Sequence, residues 1–247
     1  MAECRVALLG VMAVALAAAT APVDARAEPR AVVELFTSQG CSSCPAADQL
    51  LGELSHDPSI ITMSLPIDYW DYIGWKDTLA LPGHTKRQWA YAHALGDRGV
   101  YTPQAVVNGS VQVVGSDRAA IEGAIDQSHK HTEALTLPVS LSVVDGQIKI
   151  VTAESTTPHS GEVWLCSLSK AVPVVIGRGE NHGRTITYHN VVRRWIKLGE
   201  WTGSAGTWSI PLRDVESDGV DEVAVVVQAG NAQTPGAMLG AAMTELH

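Results

Sequence analysis

Residues 33–48 read VELFTSQGCSSCPAAD. An apolar run ends at Phe36, a short polar turn follows, and Cys41 and Cys44 stand two residues apart before a helical pattern. Ala46, Ala47, Leu50, Leu51 and Leu54 fall on one helical face, so the stretch reads as strand, cysteine turn, helix. Pro45 suits the first helical position, where its missing N–H removes no bond. Three uses fit such a pair: disulfide exchange, metal binding, or a small structural bridge. Amide groups of a first helical turn favour a thiolate, which makes Cys41 the expected exposed attacking thiol. Cys44, one turn on, is then the shielded resolving thiol.

The N-terminus decides how cysteines are read. Arg5 precedes an apolar run, Val6 to Ala19, that is too short to span a bilayer. Ala25-Arg26-Ala27 matches a signal-peptidase site, so residues 1–27 are expected to be a signal peptide and the chain periplasmic or secreted. Its removal takes two acids (Glu3, Asp24) and two bases (Arg5, Arg26) and leaves the net charge at −9. A chain so acidic is expected to bind neither nucleic acid nor, after cleavage, a membrane. The mature part keeps Cys41, Cys44 and Cys166, an odd number and too few for a disulfide-stapled fold. Cys166 alternates with Trp164 and Leu168, as a buried core thiol would; the sharper alternative is a third redox cysteine.

Composition shifts near residue 133. Before it the pattern is β-α-β-α-β-β-α. Asn108-Gly109 turns a hairpin, the Thr85 to Gln88 spacing of a capping box opens a helix that runs to about Leu95, and Ser116 or Asp117 caps the last helix. After it come seven or eight short alternating segments, including a hairpin on Asp145-Gly146, which suggest an antiparallel sandwich. The expected domains are therefore 28–132 and 133–247.

Thr102-Pro103, in GVYTPQAVVNG, stands directly before a strand some sixty residues after the cysteines. With the C-x-x-C turn it makes residues 31–130 resemble the thioredoxin superfamily. That resemblance implies a cis bond at Pro103 facing the cysteines, with the Thr102 backbone offered to a substrate strand. It also implies a buried acid before the first cysteine as proton acceptor, a role that falls on Glu34, seven residues before Cys41. The chain departs from thioredoxin in having Gln39-Gly40 before Cys41 and Ser42-Ser43 between the cysteines. Over nearly its whole mature length it also resembles a secreted bacterial family known only as a domain of unknown function. The matching stretches are VELFTSQGCSSCPAAD, DYWDYIGWKD, VYTPQAVVNG and GRTITYHNVVR.

The expected fold is thus an α/β thioredoxin-like domain followed by an all-β, sandwich-like domain. The expected function is exported thiol–disulfide exchange on protein thiols and disulfides, with an unknown redox partner. Cys41, Cys44 and Glu34 are the catalytic candidates. Thr102, Pro103, Tyr69 and Trp70 are the substrate-binding ones, the two rings forming an apolar rim with Tyr72 and Trp75. No metal site and no cofactor beyond the cysteine pair is expected, because the nine histidines form no ligand set. The alternative is a periplasmic protein that holds copper(I) through both thiolates, or a partner, without turnover. The polar run GRGENHGRTITYHNVVRRW is either an interdomain network through Arg178, Glu180, Asn181, Arg184, His189 and Asn190, or a sheet edge guarded by charge.

Overall fold

Strand β1 (Ala31–Thr37) is buried at every residue, including Glu34, which requires cover on both faces and a neighbour on each edge. The computed structural model, which describes residues 28–131, 133–155 and 160–246, provides both. The proposed signal segment, 1–27, lies outside those residues. Strand β2 (Ile60–Pro66) pairs with β1 in parallel, so the link between them must cross over, and helix α1 (Pro45–Leu54) makes that crossing. Strand β3 (Gln104–Val107) pairs antiparallel on the other edge of β1. It turns through Asn108 and Gly109, at φ 49° and 69°, into β4 (Val111–Val114). A Cβ on Gly109 would lie 2.4 Å from the Gly236 carbonyl oxygen, so the turn is also a point of close approach to the second half. Helix α2 (Pro82–Leu95) starts four residues before the capping-box reading, with Leu81 as N-cap and Pro82 at its first position, and stops at Gly96 in the left-handed region. Thr85 instead donates to Asp68 Oδ1 at 2.6 Å. Helix α3 (Arg118–His131) is capped by Asp117, which accepts from the Ala120 N–H.

The second half adds β5 (Val139–Val144), β6 (Gln147–Thr152), β7 (Gly161–Val175), β8 (Thr185–Trp201), β9 (Gly206–Pro211), β10 (Glu222–Asn231) and β11 (Thr234–Glu245). The expectation of an α/β thioredoxin-like domain followed by a separate β domain is corrected here. The molecule is mostly β, with three α-helices among the described residues. One mixed eight-stranded sheet runs β11-β10-β7-β8-β2-β1-β3-β4. It takes strands from both sides of residue 133 and joins them where Ser64 of β2 pairs with Val191 of β8. One apolar layer continues across the join, from Val32, Phe36 and Met63 to Cys166, Leu168, Val192 and Val226. Strand periodicity reports which face a residue takes, not which sheet a strand enters, so this long-range pairing left no mark in the pattern. Strand β7, 15 residues long, unites the segments EVWLCSLS and VPVVIG that read from the sequence as two short strands, and β8 runs 17 residues as one.

Helices α1 and α3 cover β1 and β3 through Leu51, Leu54, Ile121 and Ile125. The three-stranded sheet β5-β6-β9 packs on Val163, Leu165, Val223 and Val225 of the large sheet. Residues alternate along β10, with Ala224 and Val226 in the first layer and Val223 and Val225 in the second.

Candidate functional site

The cysteine turn hangs between the end of β1 and the start of α1. Ser38 O accepts from the Cys41 N–H at 3.2 Å, and Cys41 O accepts from the Cys44 N–H at 3.2 Å, two successive tight turns. Asp77 Oδ2 accepts from the Gln39 N–H at 2.7 Å, while its Oδ1 takes the N–H groups of Leu79 and Ala80. Gln39 is held in turn by Trp75, whose ring N–H donates to Gln39 Oε1 at 2.8 Å. Gly40 is closely packed: a Cβ there would lie 3.1 Å from both Ile73 Cδ1 and Trp70 Cβ. Cys44 caps α1, its carbonyl accepting from the N–H groups of Ala47 and Asp48. Cys41 and Cys44 are joined as a disulfide.

One helical turn beyond Cys44, Asp48 shares its face of α1 and is 2 % exposed. No hydrogen bond of ordinary geometry reaches either carboxyl oxygen among the described residues. Burial pushes its pKa up to about 8; the nearby Thr37 hydroxyl acts the other way and Asp77 adds repulsion. Tyr188 of β8 faces the same acids with a buried hydroxyl that also lacks a partner, and burial raises its pKa. Thr37, Asp48 and Tyr188 therefore form a buried polar cluster beside the first turns of α1. Asp48 was not singled out from the sequence. Its place four residues after Cys44, on the inward face of the helix, was the available signal.

Glu34 lies elsewhere. It is fully buried, but its side chain points to the sheet face opposite α1, among the α2 residues. Arg87 clasps it with Nε at 2.6 Å from Oε1 and Nη2 at 3.1 Å from Oε2, and the Tyr91 hydroxyl donates to Oε2 at 2.5 Å. Arg87 also reaches Gln228 Oε1 in β10 and stacks over Trp195 in β8. The acid thus joins the two halves of the molecule, and the structure does not bring it to the cysteines. Cys166 lies near this network, free and fully buried, with its thiol pKa pushed well up by burial.

Trp70 links the other sequence candidates to the cysteine turn. The Thr102–Pro103 bond is cis. The Trp70 ring N–H donates to Thr102 Oγ1 at 2.8 Å, while Trp70 Cβ backs Gly40. Tyr69 is half-buried against Gln88 and Thr102. Tyr72 is 81 % exposed and stacks on Trp70 with ring centroids 6.2 Å apart. Trp75 instead packs inward, 2.9 Å from where a Cβ on Gly177 would lie.

That contact reveals what the sequence left open about residues 177–195. The ends of β7 and β8 form a ribbon whose tip folds back over the cysteine turn. Asn181, 1 % exposed, donates its amide to Gln39 O at 3.0 Å and to Cys41 O at 2.8 Å. Glu180 Oε2 accepts from the Ser42 N–H at 3.2 Å. Arg184 donates to Asn181 Oδ1 at 3.1 Å and steadies it. Asn190 reaches Thr62 Oγ1 at 2.9 Å. Under this cover Cys41 is only 2 % exposed and Cys44 not at all, against the expectation of an open attacking thiol. Among the described residues no group of three or more His, Cys, Asp or Glu side chains converges as a metal site. No helix there is long and apolar enough to cross a membrane.

The model of the family described as "Protein of unknown function (DUF1223)" matches residues 32–228, which include the cysteine turn, the ribbon tip and most of the large sheet. The chain belongs to that family. A crystal structure of an Agrobacterium tumefaciens protein, a structural-genomics target, is similar at 33% identity. The match covers 88% of this chain and 94% of that one, with a TM-score of 0.79. No curated protein matches the chain. For this DUF1223 protein the chemistry must accordingly come from its own residues.

Proposed function

We propose that this DUF1223 protein is an exported thiol–disulfide oxidoreductase acting on protein thiols and disulfides through Cys41 and Cys44. The observation that carries the reading is the bridged pair at the start of α1, with the proton-holding carboxyl of Asp48 one turn behind it. In the oxidising direction a substrate thiolate attacks Cys41 Sγ, the Cys41–Cys44 bond breaks, and the Cys44 sulfur leaves with the electron pair. Asp48, protonated at neutral pH, gives that sulfur a proton. A second substrate thiolate then attacks the substrate sulfur of the mixed disulfide and releases Cys41 as a thiolate, which the first turn of α1 stabilises. The reducing direction is the reverse, with Asp48 taking the Cys44 proton. A separate redox partner restores the pair. Periplasmic or secreted location, resting on residues 1–27, gives an oxidising milieu in which such exchange operates. Trp70, Tyr69, Thr102 and Pro103 would flank the incoming chain.

The test is covalent. Cys44→Ala, recovered from the exported fraction without reductant, is expected to carry mixed disulfides on Cys41, and Cys41→Ala to carry none by mass spectrometry. A pair that resists dithiothreitol until the fold melts would make the bridge structural. A reduced protein that forms no adducts and titrates one copper(I) on both thiols would make the protein a metal binder.

The ribbon tip must lift for Cys41 to be attacked. Asn181→Ala removes both amide bonds to the turn, and at about 1 kcal/mol each the closed state loses enough to raise the opened fraction roughly thirtyfold. Reduction of the pair by dithiothreitol, followed by alkylation and mass, is expected to speed up by about that factor. An unchanged rate would show that the tip does not gate the disulfide.

A further inference from the structure

A groove runs beside the cysteine turn, between α1 and the outer edge of the ribbon. Its cavity is about 430 Å³, lined by Pro45, Gln49 and Glu53 on the helix, by Thr185 and Thr187 on β8, and by Arg184 just before that strand. Its end at Pro45 adjoins Cys44. Its other wall closes where His189 packs against Gly52, leaving 2.6 Å for a Cβ there.

The strand edge in this groove is unusual. Residues 185–189 of β8 pair with β7 on one side only, because β8 meets β2 at Ser64–Val191, beyond the positive-φ bend at Asn190. The ladder to β7 alternates. Ile176 N–H donates to Arg184 O, and Pro173, which has no N–H, stands opposite Thr187. The bonding pairs are therefore Val174–Ile186 and Val172–Tyr188. The peptide groups of Thr185 and Thr187 point away from β7, into the groove, with no strand to receive them among the described residues. Exposed edges of this kind are normally blunted or covered. Here the Thr185 and Thr187 side chains are short and uncharged. The local charge also favours a particular guest: Glu53 is answered by Arg118 at 2.6 Å, whereas among the described residues the Arg184 guanidinium meets only the neutral Asn181 amide.

We infer that this groove binds an extended polypeptide segment as an added strand on the Thr185–Thr187 edge, with an acidic side chain of the guest beside Arg184. The guest would be the stretch of a substrate protein flanking its reactive cysteine; the inference rests on the oxidoreductase reading for that identity. Backbone pairing supplies affinity with little dependence on sequence, as suits an enzyme of many protein thiols. The groove lies on the α1 side of the cysteine turn, away from Trp70 and Thr102, so a chain could be held on both flanks of the sulfurs.

The probe is an eight-residue extended peptide with one Glu and a central Ser in place of Cys, so that binding is read without chemistry. Titrated into the ¹⁵N-labelled full protein, it is expected to shift the Thr185 and Thr187 amides. N-methylation of every second peptide amide in one register should abolish binding, and in the other register leave it, since only alternate amides face an edge. Thr187→Pro, which removes an N–H that the β7 ladder does not use, is expected to weaken binding about tenfold while the thermal melt stays cooperative. Equal binding of both N-methyl registers, or shifts confined to Trp70 and Thr102, would overturn the inference. If the Ser peptide binds as described but Cys44→Ala traps no adducts, the groove stands and the oxidoreductase reading falls. If adducts form while the registers bind alike, the reverse holds.

Discussion

Asp48→Asn is expected to stabilise the oxidised protein at pH 8 to 9 and to slow its thiol exchange at the same time. The sign follows from linkage. The Asp48 carboxyl has its folded pKa raised from 3.8 to about 8, so between those values the folded state holds a proton that the unfolded chain has lost. Stability therefore falls as pH rises through that window, by about 1.4 kcal/mol per unit and about 6 kcal/mol in all. Above pH 8 the native protein carries a buried carboxylate that the Thr37 hydroxyl compensates only in part. The amide of Asn cannot ionise, so urea titrations from pH 4 to pH 9 should show a flatter stability profile and a gain of several kcal/mol at the alkaline end. Thiol exchange should move the other way. Without a proton donor beside Cys44, the rate at pH 7 is expected to drop about a hundredfold, and the inflection near pH 8 should vanish from the profile. An acid with only a structural role would change stability without removing that inflection.

The contrast between Asp48 and Glu34 shows what sequence could and could not say about the site. Both acids interrupt apolar patterns, and both are buried. Glu34 attracted attention because a strand acid before a C-x-x-C turn resembles thioredoxin. Which face of β1 it takes depends on where α1 and α2 pack, and alternation alone does not assign the faces. Asp48 was legible through helical period, since residue 48 follows Cys44 by one turn, but the strand acid drew the reading away. Local features read well: the cysteine turn on α1, the Asn108-Gly109 and Asp145-Gly146 turns, and Gly96 as helix stop. The non-local ones did not. Residues 177–195 gave two readings from composition, and only the return of the β7–β8 ribbon to Ser42 and Cys41 shows which contacts Glu180 and Asn181 make. The same holds for the β2–β8 pairing that turns two expected units into one sheet.

Arg87→Met is expected to destabilise the whole molecule by about 3 to 5 kcal/mol, the cost of leaving a buried partner charge unanswered. Glu34 would then sit fully buried with only the Tyr91 hydroxyl left to serve it. Gln228 would lose a donor, and Trp195 the cation stacked 4.3 Å above its ring. Because these contacts lie on β1, α2, β8 and β10, the loss should lower a single cooperative transition rather than melt one half first. Denaturation followed by tryptophan fluorescence and by circular dichroism should give coincident curves, and separated curves would mean that the sheet does not couple the halves. The double variant Glu34→Leu, Arg87→Met replaces the pair with apolar side chains and should recover most of the loss, since a buried ion pair gains little over good apolar packing. Its reactivity at Cys41 should match the wild-type protein at all pH values, because Glu34 faces away from the sulfurs. A pH–rate profile shifted in the double variant would return Glu34 to the proton path and take Asp48 off it.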